Sequence, residues 1–167
     1  MPNWCYNNLC VTHEDPAKIA ILAEKLKEDR MLEHFVPFPN GEWDYDFCVS
    51  NWGTKWDICR SEIHARHAMM LDIYFETAWA PPTKVYEKMK EQGYVIQAEY
   101  WEEGGFFVGK WDDGVDRCFS PDNAPDDMSH LVANSGPYPD EDGETTTAID
   151  AKIDAEALAH EAATNSH

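Results

Sequence analysis

Two periodicities alternate along the first two thirds of this 167-residue chain, and their order restricts the folds that it can adopt. Apolar and polar side chains alternate over Met69–Glu76, which is typical of a half-buried β-strand. Over residues 16–29, an apolar stripe formed by Ile19, Leu22 and Leu26 has the spacing of an α-helix. Segments of these two kinds follow one another, so the chain is predicted to contain both strands and helices in a mixed order.

The predicted order is strand, helix, strand, strand, helix, strand, followed by one further strand. The strands are predicted at Trp4–Thr12, Ile58–Ile63, Met69–Glu76, Val95–Trp101 and Phe106–Trp111, and the helices at residues 16–29 and between Pro82 and Gly93. Two strand-helix-strand halves, with both helices on one face of an antiparallel sheet, form the ferredoxin-like arrangement. The predicted fold class is therefore α+β: a ferredoxin-like βαββαβ sandwich with an added C-terminal β-strand and an acidic, largely irregular tail.

The composition of the chain changes at Trp111. Residues 1–111 contain 18 acidic and 11 basic side chains, whereas residues 112–167 contain 14 acidic and 2 basic side chains. The net charge of the whole chain is −19. The second part is rich in Asp, Gly and Pro, and it has a weak helical pattern near residues 148–163. We therefore expect a domain at residues 1–111 and a mobile or loosely docked acidic tail at residues 112–167.

Apolar runs and the spacing of cysteines limit the kinds of protein that this chain could be. The sequence contains no run of about 18 apolar residues and does not begin with a basic segment followed by an apolar one, so neither a membrane span nor a secreted precursor is expected. Five cysteines at irregular spacings favour reduced thiols over a disulfide scaffold. These features predict a cytoplasmic protein.

Four segments together resemble one protein family. MPNWCYNN, NWGTKWD, FETAWAPP and YWEEGGFFVG occur in this order within residues 1–111. They resemble the YubB-type ferredoxin-like domain, a family of uncharacterised plasmid and bacteriophage proteins. The resemblance implies a ferredoxin-like fold and a mobile genetic element in a bacterial host cell. It implies no reaction, since no catalytic residue is established for the family.

The segment NWGTKWD brings two tryptophans close to a lysine. Trp52 and Trp56, together with Trp79, are interpreted as structural: the indoles cover the open side of the sheet while Lys55 extends into solvent. The alternative is an aromatic and basic contact surface, with Lys55 over an indole face or paired with a carboxylate such as Asp57.

Three residues offer a weak metal-binding pattern. Cys59, His64 and His67 have the spacing Cys-x4-His-x2-His, which could supply three ligands to a transition metal. The sequence has no second cysteine pair with zinc-finger spacing. We therefore expect no metal or cofactor, and we keep as an alternative a small metal-dependent enzyme or metal-binding protein that uses these three residues.

Nucleic acid is not the expected partner. Residues 105–109, GFFVG, resemble part of the aromatic signature of RNA-recognition motifs. Glu102 and Glu103 stand where a basic residue would precede that signature, and the net charge of −19 repels phosphates. RNA binding through the sheet is kept as a further alternative.

The expected function is that of a non-enzymatic protein-binding module. The sequence has no glycine-rich phosphate loop and no GxSxG motif, and its adjacent carboxylates are typical of solvated turns. An acidic module of a phage or plasmid could bind a basic surface of a host protein by mimicry of nucleic acid, in host takeover or counter-defence. The expected contact residues are six carboxylates, Asp112, Asp113, Asp116, Asp122, Asp126 and Asp127.

Overall fold

A computed structural model describes residues 3–135 as a six-stranded antiparallel sheet with helices. The strands are β1 (Trp4–Thr12), β2 (Cys59–His67), β3 (Met70–Ala78), β4 (Val95–Glu102), β5 (Val108–Asp112) and β6 (Val115–Phe119). The helices are α1 (Pro16–Lys27), α2 (Met31–Phe35), α3 (Tyr45–Asn51), α4 (Thr83–Glu91) and α5 (Ser129–Ser135), and 3-10 turns cover Pro121–Asn123 and Asp126–Met128. The strand order across the sheet is β2-β3-β1-β4-β5-β6.

The main core lies between one face of the sheet and helices α1 and α4. Asp15 caps α1 by accepting a hydrogen bond from the Ala17 N–H at 2.9 Å, and the apolar stripe of that helix is buried. Helix α4 buries Val85, Tyr86 and Met89 against the same face. Each fully buried aliphatic side chain stabilises the fold by about 1.5–3 kcal/mol. These two helices therefore fix one face of the sheet as its inner side.

The opposite side of the sheet, which we call the open face, is only partly covered. Strand β1 presents Trp4, Tyr6, Asn8 and Cys10 there, because successive side chains of a strand alternate between the two faces. Helix α5 covers part of this face along β4, β5 and β6. The uncovered part belongs to β1, β2 and β3 and to the neighbouring ends of β4 and β5.

Strand β2 is longer than the predicted Ile58–Ile63 and is irregular. Its pairing with β3 shifts register between Cys59 and Glu62 and again between Ile63 and Ala65. Arg60, in the first of these irregularities, has a left-handed backbone with φ of 50°. Such shifts reverse which residues face the core, so simple alternation is lost and the sequence pattern is weak there.

Ordered structure continues beyond Trp111, which differs from the expected irregular tail. Asp113 and Gly114, with φ of 44° and 105°, form the turn between β5 and β6. Met128 and Leu131 are buried in a second core with Val108. The sequence around these two residues is too acidic for the short apolar pattern to stand out. The rest of the predicted tail, including the weak helix near residues 148–163, lies outside the described residues.

Within the described part of the chain, no helix combines the length and the apolar character needed to cross a bilayer.

Candidate functional site

The six carboxylates expected to form a contact surface are dispersed. Asp112 and Asp116 project to opposite faces of the β5–β6 hairpin, since Asp112 is opposite Val115 and Asp116 is opposite the core residue Trp111. Asp116 accepts a hydrogen bond from the Tyr100 hydroxyl at 2.6 Å. Asp113 lies in the turn between the two strands. No single face of the hairpin therefore carries all three of these carboxylates.

The other three carboxylates lie after β6. Asp122 and Asp126 are exposed on the two 3-10 turns. Asp127 forms an ion pair with Arg117 at 2.6 Å and lies 3.7 Å from Lys110. The hydrogen bond from Arg117 lowers the pKa of Asp127. Asp127 is thus engaged within the protein, whereas Asp122 and Asp126 point into solvent.

The two tryptophans of NWGTKWD lie in different layers. Trp52 is 1% exposed and belongs to the main core, where it packs on Phe38 and Phe47 and its Nε1 donates to the Val36 carbonyl at 2.9 Å. Trp56 packs on Trp4 at a centroid distance of 5.9 Å. The expectation that both indoles cover the open side of the sheet therefore fits Trp56 but not Trp52.

The other aromatic and basic residues of this region lie near the surface. Lys55 Nζ is 4.6 Å from the ring centroid of Trp56, as the cation–π alternative predicted. Trp79 has a left-handed backbone with φ of 74° and is 36% exposed. Its ring meets Tyr45 edge-on at 6.2 Å. Trp79 is consequently less buried than its predicted structural role implied.

Asp57, the last residue of the motif, anchors α2. Its carboxylate accepts hydrogen bonds from the N–H groups of Leu32, Glu33 and Ile58 at 2.9, 2.9 and 2.8 Å. Burial raises the pKa of Asp57 to about 7, against the lowering effect of the three N–H donors. Because this cap lies 25 residues from the helix that it serves, no local spacing in the sequence could reveal it.

The three weak metal candidates are not brought together. Cys59 is opposite Glu76 on β3, whereas His67 is opposite Met70, so they are separated by roughly 20 Å along the strand. Burial raises the pKa of the Cys59 thiol, which contacts the Glu76 carbonyl oxygen at 3.6 Å. Within residues 3–135, no three His, Cys, Asp or Glu side chains are grouped so as to hold a metal ion.

The four segments that carry the family resemblance meet at one end of the sheet, around Trp4. Trp4 is opposite Ala78 on β3, and its carbonyl oxygen accepts a hydrogen bond from the Glu103 N–H at 3.1 Å. The Trp79 N–H donates to the Asn3 carbonyl at 2.8 Å. With the contact between Trp4 and Trp56, these bonds join segments that are distant in sequence into one surface.

A row of four aromatic rings crosses the open face next to this meeting point. The aromatic row consists of His64, Tyr74, Tyr6 and Trp101, which belong to β2, β3, β1 and β4 in that spatial order. The ring planes of His64 and Tyr74 are 6° apart with centroids at 6.2 Å, and those of Tyr74 and Tyr6 are 19° apart with centroids at 6.4 Å. Tyr6 and Trp101 are direct cross-strand partners at 5.6 Å. The four rings therefore form a continuous row across the open face.

Carboxylates hold the two tyrosines of the row in place. The Tyr6 hydroxyl donates to Glu103 at 3.0 Å, and the Tyr74 hydroxyl donates to Glu76 at 2.9 Å. Arg60 forms an ion pair with Glu76 at 3.2 Å. Burial, together with these carboxylates, raises the pKa of both tyrosines, so their hydroxyls remain protonated donors at neutral pH. Burial also raises the pKa of Glu76 and of Glu103.

A polar trough of about 400 Å³ adjoins the other side of the aromatic row. Lys110 is the basic side chain of the trough, and it already contacts Glu99 at 3.3 Å. The trough is acidic overall, since its lining includes three carboxylates. Its polar side chains are Asn8, Cys10, Asp72, Gln97, Glu99, Lys110 and Asp112.

The thiols offer no activated nucleophile. Burial is the first cause that raises the pKa of every cysteine in the chain, and for Cys48 it raises the value to about 11. The raised pKa keeps these thiols protonated at neutral pH, whereas a thiol must ionise to act as a nucleophile or a metal ligand.

Comparison of the chain with protein-family models, with curated proteins and with solved structures found no significant match.

Proposed function

We propose that this protein is a non-enzymatic binding module that uses exposed carboxylates to bind a basic surface of a partner protein. The observation that carries the proposal is the charge of residues 112–135, which contain six acidic side chains and one basic side chain. Of the six, Asp112, Asp113, Asp122 and Asp126 are exposed and form no ion pair with any residue in the described range. Unpaired surface charge of one sign steers an oppositely charged partner into contact.

The setting of the proposal is a bacterial host cell. We propose that β1 to β4 with α1 and α4 form a ferredoxin-like domain of the YubB type. We propose further that the protein is encoded by a plasmid or phage and that its partner is a host protein of the cytoplasm. The strand order β2-β3-β1-β4 and the antiparallel registers support this fold assignment. The convergence of the four resembling segments around Trp4 supports the family assignment.

The partner surface that fits best is one that normally holds nucleic acid. Such surfaces are built from Lys and Arg side chains that bind phosphates, and exposed carboxylates can take the place of phosphates. The raised pKa values of all five thiols argue against covalent catalysis by cysteine.

The test is binding of the full chain to purified, strongly basic DNA-binding proteins of bacteria. We expect affinity to fall as salt rises from about 0.1 M to 1 M, because the Debye length shrinks from about 10 Å to 3 Å. Duplex DNA should compete. The triple variant Asp113→Asn, Asp122→Asn, Asp126→Asn should weaken binding and slow association, since steering acts on encounter.

A control variant that changes the net charge by the same amount tests whether the position of the carboxylates matters. The variant Glu14→Gln, Glu42→Gln, Glu87→Gln removes three exposed carboxylates that lie outside residues 112–135 and form no ion pair with any described residue, and it should bind as the wild type does. Equal losses in both triple variants, or binding that is indifferent to salt, would contradict the proposal.

A further inference from the structure

The aromatic row is a platform for planar groups, and two kinds of group fit it. Base rings and guanidinium groups both stack on the faces of Tyr, Trp and His rings. The row is half-buried rather than enclosed, with the Tyr74 ring between His64 and Tyr6 and the Trp101 ring at the border of the α5 core. Stacking alone therefore does not decide between the two.

Charge favours the guanidinium group. Seven carboxylates lie around the row and the trough, whereas three basic side chains, Arg60, Lys110 and Arg117, lie among them. Arg60 is held by Glu76, Lys110 is held by Glu99 and Asp127, and Arg117 is held by Asp127. The carboxylates are Glu62, Asp72, Glu76, Glu99, Glu103, Asp112 and Asp127. A nucleotide would bring a phosphate into this negative field, whereas an arginine side chain would bring a compensating charge.

The protein already uses this type of contact beside the row. The guanidinium carbon of Arg60 lies 5.9 Å from the Trp4 ring centroid while its Nη1 pairs with Glu76. An arginine from outside that stacked on Tyr74 or Trp101 would find Glu62, Glu103 or the trough carboxylates at the edges of the row. The open face thus repeats one recognition pattern, an aromatic ring beside a carboxylate.

We propose that the aromatic row on the open face binds arginine side chains of a basic protein segment. The inference rests on the proposed function for the basic character of the partner, and it places the specific contact on the sheet rather than on Asp113, Asp122 and Asp126. The rings supply the stacking surface, and the flanking carboxylates supply the charge and the hydrogen-bond acceptors. The trough leaves room for the residues that flank the arginine.

The test uses the full chain labelled with ¹⁵N and three octapeptides of the same length. One contains arginine, the second contains citrulline, which has nearly the same shape without the charge, and the third contains lysine. We expect the arginine peptide to shift the indole N–H signal of Trp101. The citrulline peptide should bind at least tenfold more weakly, and the lysine peptide several-fold more weakly, because an ammonium group does not stack as a planar guanidinium does.

Variants locate the contact. Tyr74→Leu should reduce affinity for the arginine peptide at least fivefold, whereas Tyr74→Phe, which keeps the ring, should reduce it less. Tyr45→Leu removes an exposed ring on α3, away from the row, and should leave affinity unchanged. If Tyr74→Leu does not fold, His64→Ala removes the exposed end of the row instead, and it should lower affinity by a smaller factor.

Three results would overturn the inference. The first is equal binding of the citrulline and arginine peptides. The second is retention of affinity in both Tyr74→Leu and His64→Ala. The third is a shift of the row signals by a single-stranded RNA oligonucleotide and not by the arginine peptide, which would assign the row to base stacking. If instead the triple variant of Asp113, Asp122 and Asp126 loses the arginine peptide while Tyr74→Leu and His64→Ala both keep it, the proposed function stands and the role of the row does not.

Discussion

Asp57 shows how a single side chain connects distant parts of this fold. It is the last residue of the motif NWGTKWD. Its carboxylate joins the start of α2 to the start of β2 by accepting hydrogen bonds from three N–H groups. Its replacement by alanine would leave these donors without their acceptor. We expect Asp57→Ala to lower the free energy of unfolding by about 1–3 kcal/mol in urea denaturation.

The pH dependence of stability tests the ionisation of Asp57. Its pKa is about 7 in the folded protein and about 3.9 in an unfolded chain, so the folded state binds more protons between these values. Stability due to this group is therefore complete below about pH 4 and is lost as pH rises through 7. Denaturation of wild type and Asp57→Asn at pH 5, 6 and 7.5 should show the wild-type advantage shrinking with pH. An advantage that grows with pH would mean that the N–H donors, rather than burial, control the pKa.

The two indoles of the same motif should differ in their contribution to stability. Trp52→Ala should cost about 3–5 kcal/mol, because it empties a fully buried site between Phe38 and Phe47. Trp56 is half-buried, so Trp56→Ala should cost less, about 1–2 kcal/mol. Urea denaturation of the two variants provides the comparison, and equal losses would contradict the division of the motif between two layers.

At the scale of elements, the segment from Val115 to Ser135 completes the sheet and covers part of the open face. Strand β6 pairs along β5, and Met128 and Leu131 pack on Val108. We expect residues 112–135 to resist limited proteolysis as well as β1 to β4 do. The variant Leu131→Asp should make this segment the first to be cleaved, while the exposed neighbour substitution Ala133→Asp should not. Early cleavage in the wild type near Trp111 would place the end of the core where the sequence analysis expected it.

Elements with a regular pattern of apolar residues are predictable from the sequence, whereas irregular elements and contacts between distant residues are not. Strands β1, β3 and β4 and helix α1 were located closely, because their periodicity is uninterrupted. Strand β2 was truncated because its register shifts reverse the alternation. The aromatic row could not be predicted at all, since its four rings come from four strands and meet only through register. The role of Asp57 was not predicted either, because the α2 N–H groups that it binds lie far from it in the sequence.

At the scale of the whole molecule, negative charge dominates. Residues 3–135 carry 24 acidic and 12 basic side chains, and the whole chain has a net charge of −19. Mutual repulsion of such charge destabilises the compact state, and salt screens it. We expect the midpoint of thermal unfolding to rise between about 0.02 M and 0.5 M NaCl, as measured by calorimetry. A midpoint indifferent to NaCl would show that local ion pairs offset the repulsion.

The position of β1 at the centre of the sheet has a consequence for synthesis on the ribosome. This strand is translated before its neighbours β3 and β4, which end at residues 78 and 102, so β1 has no partner on one side for 90 residues of elongation. At roughly 5–20 residues per second, that interval lasts about 5–20 s. During it, the apolar side chains of β1 and its unpaired backbone groups are open to association with other nascent chains. A slow translation rate over β3 and α4 should therefore increase aggregation in the cell without any change in the stability of the finished protein.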